Sequence, residues 1–494
     1  MPYWDRMPYK QYRLAQEQKL ARYIREQVYP YSPFYRALFD AHDMKPESIR
    51  TLEDLQYLPF TTKADISPSE SDPERPRKLL LDPKAEVEGR KAKGTGARER
   101  WLRLTRGNRG YQDLVDDQYK PVHLHFTTGR TALPTPVFYT ASDLCRVRQC
   151  GGRIQQLSKL EDRDLLINAF PYAPHLAFWM TYFTCEATHT PALHTGGGRI
   201  LGSERILNSI ERLGGRVLAG TPGYVYHLLR EARDSGRQLP TLHTLVLGAE
   251  RVSKAQRARL ASFAPDLGIE NLSVLATYAF TEGRIAWPEC RPPEMAGAAP
   301  SLGYHLFPDM EIIELVDPET GDPVEEGEDG EIIYTSLDWR GTALLRFRTG
   351  DLARGGISYE PCPNCKRLTP RLSGDIVRLG DYKEFELTKL KGTLVDLNAF
   401  YPILSGYKDI LEWQLEIRKA NNDPFDLDEL HLYLAPVEGV SKNKIKDEVA
   451  SRIQRELEIT PTKIVFTGLP KLLKQLGMET ESKELRIIDR RPRA

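Results

Sequence analysis

The chain has 494 residues with 69 basic and 69 acidic side chains, so its formal net charge is zero. This length predicts more than one domain and a large buried core, and the balanced charge argues against nucleic acid or an acidic membrane surface as a partner. No apolar run is long enough to span a bilayer, and the N-terminus lacks the apolar core of a signal peptide. Six cysteines are too few for a disulfide scaffold. We therefore expect a cytoplasmic protein.

The first part of the sequence divides into a helical region and a basic segment. Residues 9–29, 33–41 and 44–58 have compositions typical of helices, with Thr51 as a candidate cap. Residues 72–118 combine proline and glycine with many lysines and arginines, which indicates a segment exposed to solvent. The alternative is a basic arm that reaches a phosphate-bearing substrate.

A turn rich in hydroxyl groups follows this segment. Val122–Phe126 and Pro136–Tyr139 are predicted strands, and the turn Thr127–Thr131 between them offers backbone N–H groups and three hydroxyls. Convergent donors of this kind can bind a polyphosphate. The alternative is an ordinary threonine-rich hairpin without a ligand.

Residues 142–277 alternate between predicted helices and short apolar strands, which indicates a parallel sheet covered by helices. Ligands of such sheets bind beyond the carboxyl ends of the strands. Polar residues lie at these ends in the segments Asn168–His175, Gly248–Glu250 and Tyr278–Glu282.

From Met310 the pattern changes to antiparallel strands, and beyond about residue 383 a smaller unit begins. This unit has predicted strands at residues 412–418, 429–434 and 463–466 and a helix at 443–457. We therefore predict an α/β fold with a large N-terminal domain, a β subdomain and a small α+β C-terminal domain.

Cys362-Pro-Asn-Cys365 has the spacing of a zinc half-site, which needs two more ligands. The alternative is a pair of thiols on a loop without a metal.

Four motifs resemble those of adenylate-forming enzymes, and most closely those of the phenylacetate–coenzyme A ligase family. The segment His125–Thr140 resembles the family's phosphate loop, but Arg130, Ala132 and Leu133 replace its threonine, second glycine and lysine. The other three motifs are Thr277-Tyr-Ala-Phe-Thr-Glu282, Arg346-Phe-Arg-Thr-Gly-Asp351 and Ser482-Lys-Glu-Leu-Arg-Ile-Ile-Asp489. The resemblance covers nearly the whole chain except residues 72–118.

The resemblance implies an adenylating domain at residues 1–380 and a mobile lid at 381–494. Three residues are implied in catalysis: Thr281, Glu282 as a ligand of Mg²⁺, and Lys483 from the lid. The residues implied in nucleotide binding are Thr127, Thr128, Gly129, Arg130, Thr131, Ala249, Glu250, Tyr278, Asp351 and Arg378. The pocket for an aromatic acid is assigned to Phe170, Tyr172 and His175. The implied zinc ligands are Cys290, His305, Cys362 and Cys365.

The implied activity is the ATP-dependent conversion of a carboxylic acid, expected to be aromatic, to an acyl-adenylate and its transfer to coenzyme A. The cofactors would be ATP, Mg²⁺, coenzyme A and a structural Zn²⁺. The partners would be small molecules, with no nucleic acid and no membrane, and a homodimer is left open. Two alternatives stay open: an adenylating enzyme with another acceptor (a protein thiol, or transfer of AMP to a coenzyme), and a non-catalytic family member.

Overall fold

The structure is a computed structural model, and two hydrophobic cores organise it. The larger core is built from residues between 20 and 372, and the smaller one from residues between 397 and 487. None of the helices among the described residues combines the length and the apolarity needed to cross a lipid bilayer. The described residues are 4–83, 95–127, 134–292, 301–379, 388–390, 393–395, 397, 400–420, 428–457, 459–477 and 485–491.

The helices predicted for the N-terminal region are present. Thr51 caps a short helix through a capping box with Asp54, which satisfies backbone N–H groups at the helix start. The helices are α1 (Tyr9–Tyr23), a π-helical turn (Ile24–Val28), α2 (Tyr29–Tyr31), α3 (Pro33–Ala41), α4 (Leu52–Leu55) and α5 (Lys63–Ile66).

The basic segment contains more regular structure than its composition suggests. Thr95–Tyr119 forms the helix α6, interrupted at Gly107, where φ is 70°. Pro76, Leu79 and Leu81, at the start of the segment, are buried. The expectation of a solvated excursion therefore fails for these three residues, and the part at 84–94 lies outside the described residues.

The central layer is a six-stranded sheet in the order β4-β3-β5-β6-β7-β8, in which only the edge strand β8 is antiparallel. A separate hairpin of two strands precedes it. The strands are β1 (Pro121–Phe126), β2 (Pro136–Thr140), β3 (Leu166–Asn168), β4 (Ala192–His194), β5 (Val217–Gly220), β6 (Thr244–Leu247), β7 (Ser273–Ala279) and β8 (Ala286–Pro288). The helices of this layer are α7 (Ala141–Ser158), α8 (Leu176–Thr188), α9 (Ser203–Leu213), α10 (Pro222–Asp234) and α11 (Lys254–Ala261).

The predicted antiparallel region forms a four-stranded sheet in the order β10-β11-β12-β15 and a small three-stranded sheet in the order β13-β14-β9. The strands are β9 (Tyr304–His305), β10 (Glu311–Val316), β11 (Gly330–Ser336), β12 (Phe347–Arg354), β13 (Ile357–Ser358), β14 (Arg371–Leu372) and β15 (Asp375–Arg378).

The C-terminal unit has its own core and a four-stranded sheet in the order β20-β19-β18-β21. The three predicted strands and the predicted helix are all present, and two further helices and three further strands among the described residues were not predicted. The elements are β16 (Thr388–Leu390), β17 (Thr393–Val395), α12 (Phe400–Ser405), β18 (Ile410–Lys419), β19 (Asp428–Pro436), α13 (Lys442–Leu457), β20 (Lys463–Phe466), α14 (Leu469–Leu476) and β21 (Ile487–Asp489). The boundary near residue 380 stays a prediction.

One buried carboxylate joins two distant parts of the large unit. Asp143, in the first turn of α7, accepts hydrogen bonds from the backbone N–H groups of Thr140 at 2.9 Å, Gly341 at 2.6 Å and Arg340 at 2.8 Å. The side chain is fully buried, so these donors would otherwise be desolvated without a partner. Asp143 therefore caps α7 and holds the loop before β12 against it.

We expect Asp143→Ala to lower the melting temperature of the large unit by about 4 °C, because losing the three hydrogen bonds costs on the order of 3 kcal/mol in a unit of this size. Differential scanning calorimetry measures this change, and Asp162→Ala, at an exposed position, serves as the control. An unchanged melting temperature in Asp143→Ala would show that Asp143 does not hold the loop before β12 against α7.

Candidate active site

A cleft of about 1020 Å³ lies between the carboxyl edge of the six-stranded sheet and the C-terminal unit. Its lining includes the residues that follow β6 and β7, as the rule for parallel sheets predicts. Tyr401, Glu412 and Trp413 of the C-terminal unit complete the wall. The cleft is therefore shared by both units of the protein.

Asp351 lies at the centre of a polar cluster in the cleft. Its two carboxylate oxygens accept hydrogen bonds from Arg378 Nη1 at 2.5 Å and from the Tyr278 hydroxyl at 2.9 Å. The antiparallel pairing of β12 and β15 places Asp351 opposite Arg378, and Tyr278 reaches the cluster from β7. A carboxylate offers about four acceptor sites, so Asp351 keeps capacity for further donors.

Thr281 and Glu282 form a short 3-10 turn immediately after β7 and line the cleft. Glu282 is 7% exposed. Burial raises the pKa of its carboxyl, although the positive charges of Lys63 and Arg378 oppose this change. A buried carboxylate that lines the cleft can hold a divalent metal, because a bound cation would favour its ionised form.

The turn Gly248–Glu250 follows β6 and borders the same cleft. A Cβ atom at position 248 would lie 2.7 Å from Thr277 Oγ1, so only glycine fits there. Ala249 adopts a left-handed conformation with φ 69°. This turn brings the backbone and Glu250 to the edge of the sheet beside Tyr278.

The hairpin that carries the predicted phosphate loop is present, but most of the loop lies outside the described residues. Thr127 lines the cleft, and its backbone N–H donates to the Thr135 carbonyl oxygen at 3.1 Å, which closes the base of the loop. The predictions for Thr128, Gly129, Arg130 and Thr131 concern residues whose structure is not described.

Lys63 is a cleft residue that the sequence analysis missed. It is the first residue of α5, whose capping box is formed by Thr62 and Asp65. It lies in the sequence between the predicted helices and the basic segment, where nothing local indicates a function. Its position in the cleft depends on packing that no local pattern shows.

The residues predicted to bind the acid are only partly brought together. Phe170 and His175 line the cleft. Tyr172 is 60% exposed and packs its ring against Phe178 and Trp179 instead. The apolar wall of the cleft is supplied by residues that the sequence analysis did not single out: Ile154, Leu160, Leu166, Met180, Ala219 and Val246.

The C-terminal strand reaches the cleft two residues after Lys483. Leu485, Arg486 and Ile487 line it, whereas Lys483 itself lies outside the described residues. Glu412 of β18 is 2% exposed and forms ion pairs with Arg486 at 2.8 Å and with Arg230 of α10 at 3.5 Å. This carboxylate therefore connects the C-terminal unit with the large unit.

A second cluster lies outside the cleft. Ligand atoms of Cys290, His305, Cys362 and Cys365 all lie within 4.8 Å of one another. The Cys290 and Cys362 sulfurs are 3.6 Å apart, and Cys365 Sγ is 3.6 Å from His305 Nε2. His305 Nδ1 contacts Thr369 Oγ1 at 3.0 Å, which leaves Nε2 directed at the thiols.

The geometry of this cluster fits a zinc ion. Zinc–sulfur bonds of about 2.3 Å in a tetrahedron place two sulfur ligands about 3.8 Å apart, close to the separation between Cys290 and Cys362. A ligating histidine usually has its other ring nitrogen bonded to an oxygen, as His305 does with Thr369. Four protein ligands leave no open coordination position, so such a site would be structural.

Comparisons with known proteins agree with the fold. The family model of the AMP-binding enzymes matches residues 53–337, more than half of the chain. The phenylacetate–coenzyme A ligase of Thermus thermophilus is 28% identical over 386 residues, which cover 77% of this chain and 73% of that ligase. The phenylacetate–coenzyme A ligase of Escherichia coli is 24% identical over 342 residues, which cover 69% of this chain and 66% of that ligase.

A solved structure shares the whole fold. The crystal structure of 2-hydroxyisobutyryl-CoA ligase in the postadenylation state, in complex with 2-HIB-AMP, superposes with a TM-score of 0.71 at 19% identity. The match covers 98% of this chain and 91% of that chain. The sequence match over the large unit and the fold match over both units point to one conclusion. The chain belongs to the AMP-binding enzyme family, as a member that resembles the phenylacetate–coenzyme A ligases.

Proposed function

We propose that this protein is an AMP-forming acid–coenzyme A ligase that activates an aromatic carboxylic acid. The observation that supports it best is that one cleft contains both the Asp351 cluster and Glu282, and an apolar wall between α7, α8 and the sheet. A nucleotide and an apolar acid can therefore meet in one enclosed space. Sequence similarity to several phenylacetate–coenzyme A ligases supports the same activity.

The polar cluster is suited to the nucleoside part of ATP. The remaining acceptor sites of Asp351 are suited to the two ribose hydroxyls, while Arg378 and Tyr278 fix the carboxylate in place. The ring of Tyr278 is buried, and its centroid lies 5.6 Å from the ring centroid of Trp287. The adenine would lie between Tyr278 and the Gly248–Glu250 turn.

The first half-reaction forms a bond between an oxygen of the acid and the α-phosphorus of ATP and releases pyrophosphate. Glu282 would hold Mg²⁺, which supplies neutralisation of phosphate charge when it is bound. Thr281 and the loop at 127–131 would donate hydrogen bonds to the α-phosphate, and Lys63, whose charge acts on Glu282, would add positive charge to the cleft. Lys483 would neutralise the charge shared by the carboxylate and the phosphate.

The second half-reaction transfers the acyl group. The sulfur of a thiol attacks the acyl carbon of the adenylate, and AMP leaves with the pair of electrons of the broken C–O bond. A closed cleft excludes water that would otherwise hydrolyse the acyl-adenylate. In the proposal the thiol is that of coenzyme A. A protein thiol, or another acceptor, is the competing possibility.

The decisive experiment is ATP–pyrophosphate exchange with and without a panel of aromatic acids, followed by addition of coenzyme A. Acid-dependent exchange and a thioester product support the proposal. Exchange without a thioester would mean that the acyl group is transferred to an acceptor other than coenzyme A. Absence of exchange with every acid would contradict the enzymatic proposal as a whole.

We further propose that Cys290, His305, Cys362 and Cys365 bind one structural Zn²⁺. The four ligand atoms are close enough for one ion, and Asn364 Nδ2 donates to Cys290 Sγ at 3.1 Å, which supports a thiolate. The ligands come from separate segments after β8, on β9 and between β13 and β14. A zinc ion bound here would connect the three-stranded sheet to the segment that follows β8, the edge strand of the six-stranded sheet.

We expect Asp351→Asn to raise the KM for ATP by about 10- to 100-fold, because the amide loses acceptor capacity and the pairing with Arg378. The KM for the acid should change much less. Pyrophosphate-exchange kinetics measure both constants. Asp375→Asn makes the same charge change on β15, where Asp375 pairs with Arg251 at 2.6 Å, and is the matched control. Equal effects of the two variants would argue against a nucleotide role for Asp351.

Lys483 should serve only the first half-reaction. Loss of a preorganised donor to the developing charge typically costs about 100- to 1000-fold, so Lys483→Ala should slow pyrophosphate exchange by that factor. The same variant, supplied with a synthetic acyl-adenylate and coenzyme A, should form thioester at nearly the parent rate. If both half-reactions fail together, Lys483 maintains the fold or the position of the lid instead.

Purified protein should contain about one equivalent of zinc per chain. Cys362→Ser should remove the metal and lower the melting temperature by several degrees, because binding energy is folding energy at a structural site. Elemental analysis and thermal melting measure the two effects, and Cys145→Ser, at an exposed cysteine outside the cluster, is the control. A metal-free preparation with the parent's stability would refute the zinc site.

A further inference from the structure

Two arginines of the large unit contact the same short stretch of the C-terminal unit. Arg259 of α11 donates from Nη2 to the carbonyl oxygens of Ile410 at 2.6 Å and Leu411 at 2.8 Å. Arg230 of α10 forms an ion pair with the carboxylate of Glu412 at 3.5 Å. Three consecutive residues at the start of β18 are therefore bound by cations of the large unit.

One aromatic ring orders both arginines on the side of the large unit. The guanidinium carbons of Arg259 and Arg230 lie 4.9 Å and 5.3 Å from the centroid of the Tyr226 ring. Tyr226 is 6% exposed, and its ring packs against that of Phe263 with the centroids 5.3 Å apart. A cation is attracted to the face of an aromatic ring, so a buried ring restrains both side chains. The two donors are therefore preorganised for contact with β18.

A β-bulge shapes the acceptor side of this contact. Leu411 is an extra residue in the register between β18 and β19, because the pairing shifts between Ile410 and Glu412. A bulged residue is left out of the regular ladder, and the Leu411 carbonyl oxygen is one of the two that Arg259 binds. Hydrogen bonds from a charged donor are strong and directional. The contact therefore depends on the orientation of β18 and not only on its proximity.

Strand β18 also holds the segment that follows Lys483. Glu412 pairs with Arg486 at 2.8 Å, and Gln414 Nε2 donates to the Leu485 carbonyl oxygen at 2.7 Å. Strand β21, which begins directly after these residues, pairs with β18 in parallel. Leu485 lines the cleft and lies two residues after Lys483 in the sequence. Fixing β18 against the large unit therefore fixes the place at which the chain leaving Lys483 enters the cleft.

We propose that Arg230 and Arg259 are positioning residues for the first half-reaction, which hold the C-terminal unit in the orientation that brings the Lys483 segment to the cleft. This inference rests on the proposed function, because it uses the role that is proposed there for Lys483. It goes beyond that function by assigning the orientation of the C-terminal unit to two side chains outside the four motifs. Arg259 also lines the cleft, so direct binding of a substrate phosphate is the alternative that the test must separate.

The kinetic test uses full-length Arg259→Gln and the double variant Arg230→Gln/Arg259→Gln. We expect kcat for ATP–pyrophosphate exchange to fall about tenfold in Arg259→Gln and further in the double variant, because a hydrogen bond to a charged group contributes a factor of about 10–100. The KM for ATP and for the acid should change much less, since neither arginine is proposed to bind them. Thioester formation from a synthetic acyl-adenylate and coenzyme A, which does not use Lys483, should stay near the parent rate.

Two further variants control for the loss of charge. Arg233→Gln removes an arginine from the same helix as Arg230, where it pairs with Asp234 at 2.7 Å, and should keep the parent's kinetics. Arg259→Lys keeps a cation beside Tyr226 and should recover part of the exchange rate that Arg259→Gln loses. A rise in the KM for ATP or coenzyme A in Arg259→Gln, with kcat unchanged, would mean that this guanidinium binds a substrate, and would overturn the proposal.

Double electron–electron resonance measures the orientation of the units without turnover. Spin labels on the exposed native Cys145 of the large unit and on Lys446→Cys of α13, also exposed, report the distance between the two units. The parent should give a narrow distance distribution, and the double variant should shift or broaden it. Arg233→Gln should leave it unchanged. An unchanged distribution in the double variant would overturn the proposal, whatever the kinetics show.

The two readouts together separate this inference from the proposed function. If the distance distribution shifts while exchange keeps the parent rate, the arginines join the units without positioning Lys483, and the inference fails while the ligase activity stands. If the parent shows no exchange with any acid, the proposed function fails. The distance distribution then decides by itself whether Arg230 and Arg259 hold the C-terminal unit in place.

Discussion

The pairing of Asp351 with Arg378 is the interaction on which the cleft depends. A carboxylate removed from water is costly unless it is paired and hydrogen-bonded, and Asp351 is both, through Arg378 and Tyr278. The pair also links β12 to β15, the last strand before the connection to the C-terminal unit. The geometry of this pair therefore sets how β7, the antiparallel sheet and the start of that connection meet around the cleft.

The rest of the cleft is formed at the edge of the six-stranded sheet where the parallel strands end. Strands β6 and β7 deliver the Gly248–Glu250 turn and the Thr281–Glu282 turn to one side. The apolar wall is supplied from the opposite direction by α7, α8 and the inner strands. Burial has opposite consequences for the two parts: it makes Glu282 harder to ionise, and it makes the apolar wall more favourable for a flat acyl group.

The elements and motifs that local sequence determines were predictable, and those that depend on tertiary packing were not. Strands β18, β19 and β20 of the C-terminal unit and the Cys362–Cys365 spacing were recognised because period and spacing are local properties. Helix α6 was missed because glycine and charge dominate its composition, and Tyr172 was placed in the pocket because spacing does not fix the direction of a side chain. Lys63 could not be found from sequence, because it reaches the cleft only through contacts between distant segments.

The two ion pairs of Glu412 differ in length. Arg486, from the same small unit, lies at 2.8 Å, whereas Arg230 of the large unit lies at 3.5 Å. A C-terminal unit that swung away would take Glu412 and its counterion together, so the rotating body would stay electrically neutral at this point. The cost of separation would fall on Arg230, which retains contact with the ring of Tyr226 at 5.3 Å. Separation of the two units would therefore leave Arg230 without its carboxylate partner, while Glu412 would keep Arg486.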